Sequence, residues 1–167
     1  MTTLPPVFLP RHGQRPVRQR GATIVEFAII APAFLLLMIG VIELSMVYFA
    51  NLTMQHAVRE GARYAVTGQS NLDPNTSSQQ RYQAVLQKIK DSSMGMYDKV
   101  NPTVSVTNMS GGSNSGAGTF GSAGDIIVIS LDCNWALATP MMAAFFSNGK
   151  AHFVVSATMR NESYGGL

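Results

Sequence analysis

Residues 27–42 hold sixteen consecutive positions without a charge, and the apolar character persists through Leu44, Met46, Val47, Tyr48 and Phe49 to Ala50. At about 1.5 Å per residue, a helix over 22–50 reaches roughly 43 Å, which exceeds the roughly 30 Å hydrocarbon core of a bilayer. The pattern therefore predicts a transmembrane helix over 22–50. Met54, Val58, Ala62 and Ala65 extend an apolar stripe at spacings of three and four, so the helix continues outside the membrane over 51–68 and stops at Gly68. Pro32 lies inside the run and is expected to bend it, which membrane helices tolerate.

After a polar link, Thr76 or Ser77 is a candidate cap for a second, short helix, because each has a glutamine three residues later. Tyr82, Val85, Leu86 and Ile89 would form its buried face, and the Ser-Ser-Met-Gly sequence at 92–95 ends it. Beyond Pro102 the period changes from about 3.6 to 2. Residues 103–107, 125–133 and 151–159 read as three strands, with a Gly/Ser-rich loop at 111–124 between the first two. Between the last two, 135–146 is apolar and broken by Pro140, and reads as a packed loop or short helix beside the sheet, or else as a second membrane-contacting element. The expected fold is α+β. A long N-terminal transmembrane helix continues into a small exported domain, 69–167, with a three-stranded antiparallel sheet.

Charge orients this arrangement. Arg11, Arg15, Arg18 and Arg20 precede the apolar run with no acid among them, so residues 1–21 form a basic leader. The positive-inside rule then places the N-terminus in the cytoplasm and the remainder outside. A cleaved secretory signal has a similar start, but no small-x-small site follows this run, which ends in Tyr48, Phe49 and Ala50. The formal net charge is +3. It is carried by the leader: from Ala22 onward eight basic residues face nine acidic ones, 8 − 9 = −1. No basic patch for nucleic acid remains.

Several motifs have bland readings. Gly116, Gly118 and Gly121 match GxGxxG, yet they precede a predicted strand instead of following one and opening a helix, so the match is chance. His12, His56 and His152 lie apart with no ligand spacing, and the single Cys133 makes neither an intramolecular disulfide nor a CxxC pair. No catalytic residue, metal site or cofactor site is expected, and the chain reads as non-enzymatic. Glu43 falls near the outer interface, where water can hydrate it. Over Arg59, Glu60, Gly61, Ala62, Arg63 and Tyr64, Glu60 and Arg63 are spaced to pair, and Gly61 with Ala62 leaves a low patch. That segment is either a solvated helix face or a docking face for the sheet.

Glu26 stands at the mouth of the apolar run, and a carboxylate at mid-membrane costs roughly 2.5 to 3.5 kcal/mol, less near the interface. Two readings compensate it. With the leader retained, Arg20 lies nearby. With the chain cut between Gly21 and Ala22, the new α-ammonium of Ala22 lies one turn away, and it can instead pair with Glu26 of a neighbouring subunit.

Arg20-Gly21, then Val25-Glu26-Phe27-Ala28, then Pro32, then the segment from Arg59 to Ala65 together resemble the TadE-like family of pseudopilins of the tight-adherence (Tad/Flp) pilus machinery. The stretch 157–162 resembles the family's ending more weakly. The resemblance implies a minor pilin-like assembly component of the bacterial inner membrane, single-pass, with a cytoplasmic N-terminus and a periplasmic C-terminal domain that reaches the pilus after assembly. It implies cleavage by a prepilin peptidase between Gly21 and Ala22, and an assembly role for Glu26 and Phe27 at the start of the mature helix. The partners implied are that peptidase, other pilin-like subunits with the assembly machinery, and the lipid bilayer. The competing reading is a permanently anchored periplasmic binding or sensor domain, uncut and outside any filament.

Overall fold

A computed structural model describes residues 21–77, 79–110 and 120–163. The fold is α+β, a long N-terminal apolar helix followed by a small domain built on a three-stranded antiparallel sheet. Helix α1 (Ala22–Val66) runs 45 residues with Pro32 inside it. Contacts divide the chain into two units, the first ending at Met38 and the second starting at Ile39. In the first unit the large apolar side chains of the helix, among them Ile24, Phe27, Ile30, Phe34 and Leu37, are exposed.

The second unit holds the core. Ala50, Met54, Ala57, Val58, Ala62 and Ala65 of α1 are buried in one cluster with residues of the sheet. Four of these six are alanines, whose low relief lets packed elements approach closely. The helix stops where Gly68 takes a left-handed φ of 69° and its N–H donates to the Ala65 carbonyl at 3.1 Å. Glycine adopts that conformation without the Cβ penalty of other residues.

Helix α2 (Arg81–Ser92) follows, its inner face formed by Ala84, Val85 and Ile89. Its cap differs from the sequence expectation. Neither Thr76 nor Ser77 caps it; Gln80 is the N-cap residue, and its N–H donates to Asp73 Oδ2 at 2.5 Å. A carboxylate seven residues upstream takes the orphan donor that a local hydroxyl would otherwise take. A five-residue helix, α3 (Met96–Val100), was not legible in the pattern; it buries Met96 and Val100 and starts after Gly95, whose φ is 77°.

Strands β1 (Thr103–Asn108), β2 (Ile126–Ala136) and β3 (Lys150–Arg160) pair in the order β1-β2-β3. Ile127, Ile129, Leu131 and Cys133 of the central strand all face the core, and Ile129 sits opposite both Val106 and Ala157. A one-residue slip would turn this row to solvent, so the alternation holds the register. β2 extends three residues beyond the predicted end at Cys133, because Trp135 and Ala136 pair with Ala151 and Lys150. The segment 135–146 is accordingly part strand and part hairpin connection, with a single helical turn, α4 (Pro140–Ala143). Gly116 and Gly118 lie outside the described residues.

Candidate functional site

At the N-terminal end the carbonyl of Gly21 accepts the Val25 N–H at 3.3 Å and so opens α1. A Cβ built on Gly21 meets nothing within 4 Å. Packing among the described residues therefore does not demand a glycine there. Glu26 and Phe27 are both exposed, Phe27 at 72%. Arg20, the local partner in one reading of Glu26, lies outside the described residues.

The segment from Arg59 to Tyr64 divides its residues between two faces of α1. Arg59 and Arg63 are exposed, and Arg63 lies 3.5 Å from Glu60 in an i, i+3 pair. An exposed pair of this kind contributes little, about 0.2 to 1 kcal/mol. On the other face Gly61 and Ala62 are buried, and Gly61 meets α2: a Cβ there would fall 2.2 Å from Ile89 Cγ1. The low patch thus receives a helix side chain. Tyr64 turns its hydroxyl to the following loop, donating to Asn71 Oδ1 at 2.6 Å and accepting the Leu72 N–H at 3.2 Å.

Arg81 ties this end of α1 to the sheet. Its Nη2 and Nε donate to the Ala65 carbonyl at 2.5 and 3.2 Å, its Nη1 to the Gly121 carbonyl at 2.9 Å, and its Nη2 also to Asn161 Oδ1 at 2.9 Å. Asn161 is buried, and its amide donates to the carbonyls of Phe120 and Ser122, both at 2.8 Å. A planar guanidinium supplies this fan of donors, and its charge sits favourably at the C-terminus of α1. Sequence reasoning missed Arg81, although one signal was present. A basic residue opening a helix is poorly placed for that helix's own dipole, so its reason lies elsewhere.

Glu43 is the other residue whose role the sequence did not disclose. Instead of standing in water it is buried, and its carboxylate accepts hydrogen bonds from the Ala138 N–H, the Thr139 N–H at 3.2 Å and the Thr139 hydroxyl. The connection between β2 and β3 is thereby latched to α1, not laid beside the sheet. Met142 continues the contact, its Sδ 3.8 Å from where a Cβ on Gly40 would lie. The signal was again present: Glu43 is the only acidic or basic residue of the Lys/Arg/Asp/Glu set between Glu26 and Arg59.

The remaining titratable groups are dispersed. Cys133 is buried in the core, and that burial, with a smaller contribution from the Asp132 charge, pushes its thiol up to about 11. It stays protonated and poorly nucleophilic near neutral pH. His152 and Asp132 face each other at 2.9 Å on the exposed side of the sheet. Among the described residues no group of three or more His, Cys, Asp or Glu side chains is arranged to hold a metal ion.

With this geometry in hand, comparison with known families finds that residues 21–63 match the family model described as TadE-like protein. The match takes in Gly21, Glu26, Phe27, Glu43 and Gly61, and ends before Tyr64 and the 157–162 ending. It suggests a component associated with the Tad pilus, and with the apolar helix it suggests membrane anchoring. No curated protein and no solved structure matches the chain.

Proposed function

With a TadE-like segment at residues 21–63 as the premise, we propose that this chain is a minor pilin-like component of a Tad/Flp pilus system. Helix α1 holds it in the bacterial inner membrane, N-terminus in the cytoplasm and sheet domain in the periplasm. A prepilin peptidase cuts between Gly21 and Ala22. Glu26 and Phe27 then engage other pilin-like subunits during assembly.

One observation carries this reading: the matched segment begins at Gly21, where neither packing nor a positive φ calls for a glycine, and an exposed glutamate follows one turn into an apolar helix. A peptidase cleft that admits only a small residue supplies the missing reason. The cut also changes the energetics of extraction. Four arginines resist passage across the bilayer, each costing roughly 2.5 to 3.5 kcal/mol at its centre. Cleavage removes all four together. Glu26 and the new ammonium then enter a helix bundle as a pair, which avoids an unpaired buried charge.

The test uses the full chain in its native membrane. Intact mass should show a mature protein starting at Ala22, and Gly21→Val should leave the leader attached. Glu26→Gln and Glu26→Ala should be cut and accumulate in the membrane yet lose association with pilin-like subunits, with Glu26→Asp in between. Efficient processing of Gly21→Val, or normal piliation with Glu26→Gln, would contradict the corresponding step.

A further inference from the structure

The connection between β2 and β3 carries Phe145, at 80% the most exposed large apolar side chain among the described residues, together with Met141 at 54%. Residues 135–146 contain no charge. The connection is not loose. The Leu137 N–H donates to the Gly149 carbonyl at 3.1 Å across its neck, and the Ala143, Ala144, Phe145 and Phe146 N–H groups donate to carbonyls within it at 2.9 to 3.2 Å. A segment that satisfies much of its own backbone while turning apolar side chains outward is suited to a medium poor in hydrogen-bond partners.

Its position on α1 supplies the direction. Glu43 holds Ala138 and Thr139, while Met142 reaches Gly40, one turn back toward the N-terminal apolar run. Around this contact Ile39, Ile42, Leu44 and Met46 of α1 are exposed. Ser45 closes its hydroxyl on the Val41 carbonyl at 2.7 Å, so it presents no open donor. An apolar groove of about 220 Å³, lined in part by Ile42, Met46 and Trp135, lies between α1 and the connection. The exposed apolar side chains of the connection therefore lie beside those of α1 over residues 39–46.

We infer that the α4 turn is a second membrane contact, seated in the outer interface of the bilayer that α1 crosses, with Met141 and Phe145 among the lipid chains and headgroups. Trp135 borders the same level, where aromatic residues are enriched. Glu43 is thus not a charge that lipid must solvate. The connection brings two N–H groups and a hydroxyl to the carboxylate, and the carboxylate in turn holds the connection at the membrane. This inference rests on the proposal that α1 crosses a bilayer, and the experiment separates the two.

The full chain is placed in bilayer nanodiscs of phosphatidylethanolamine and phosphatidylglycerol. A polarity-sensitive nitrobenzoxadiazole probe is attached to Phe145→Cys, with Leu37→Cys as a membrane reference and Thr158→Cys as a water reference. The unsubstituted chain should take no label, because Cys133 is buried. Phe145→Cys should give blue-shifted emission, strong quenching by nitroxide carried on lipid near the headgroups, and several-fold weaker iodide quenching than Thr158→Cys. An iodide-quenched, water-like probe at 145 beside a lipid-quenched probe at 37 overturns this inference alone. A water-like probe at 37 overturns the membrane premise as well. Blue-shifted emission at 145 that lipid nitroxide does not quench, and that grows with protein density, assigns the face to another protein copy and also overturns it.

Discussion

Gly61 is the residue whose replacement tests the packing of α1 most directly. The missing side chain is the space that Ile89 occupies, and a Cβ 2.2 Å from Cγ1 cannot be absorbed by rotating the far end of a flexible chain. Gly61→Ala raises helix propensity, by about 0.8 to 1.0 kcal/mol, while overpacking costs about 1 to 3 kcal/mol. The clash should win, and thermal unfolding of the full chain in detergent should shift downward. Ile89→Ala removes the obstructing atoms, so the double variant should be more stable than the sum of the single effects predicts. Strict additivity would mean that the two residues do not meet. At the same scale, Arg59 and Arg63 lie on the opposite, exposed side, where substitution to alanine has little packing to disturb.

Among elements, the latch between α1 and the β2–β3 connection joins residues about 95 positions apart in the chain. Thr139→Val keeps the shape of the side chain and removes the hydroxyl that donates to Glu43. A hydrogen bond to a charged group contributes about 1.5 to 3 kcal/mol. The variant should therefore open the connection locally, with faster amide exchange at Ala138 and Thr139 and unchanged exchange along β1 and β2. Exchange that rises throughout the sheet would mean the connection is an integral part of the fold and not a latch upon it. Arg81 and Asn161 form a second link at the C-terminal end of α1, where helix end, loop and last strand converge.

For the molecule as a whole, the decisive feature is that, among the described residues, the sheet shares its core cluster with α1, α2 and α3. Its inward row packs in one cluster with six α1 residues from Ala50 to Ala65. A domain of this size buries only a modest fraction of its apolar surface, so losing that helix face leaves too little to offset chain entropy. A fragment starting at Gln69 should lack a cooperative thermal transition and dispersed amide resonances, while one starting at Ala50 should show both. Cooperative unfolding of the shorter fragment would show that the boundary drawn at 68/69 separates an independent domain after all.

Periodicity and composition alone determined the long helix, the three strands along the chain and the segregation of positive charge before Gly21. These are properties of one segment at a time: an uncharged run is long enough or it is not, and an alternating strand has one face to bury. The TadE-like resemblance was legible for the same reason, since its residues lie in one stretch. Tertiary structure decided the partners. Asp73 replaces the hydroxyl cap expected at Thr76 or Ser77, Ile89 fills the space over Gly61, Arg81 closes α1, and Thr139 takes the carboxylate of Glu43. Each is a contact between elements, in which a local preference yields to a donor, acceptor or volume brought in by folding, and no periodicity in one segment encodes which distant residue arrives.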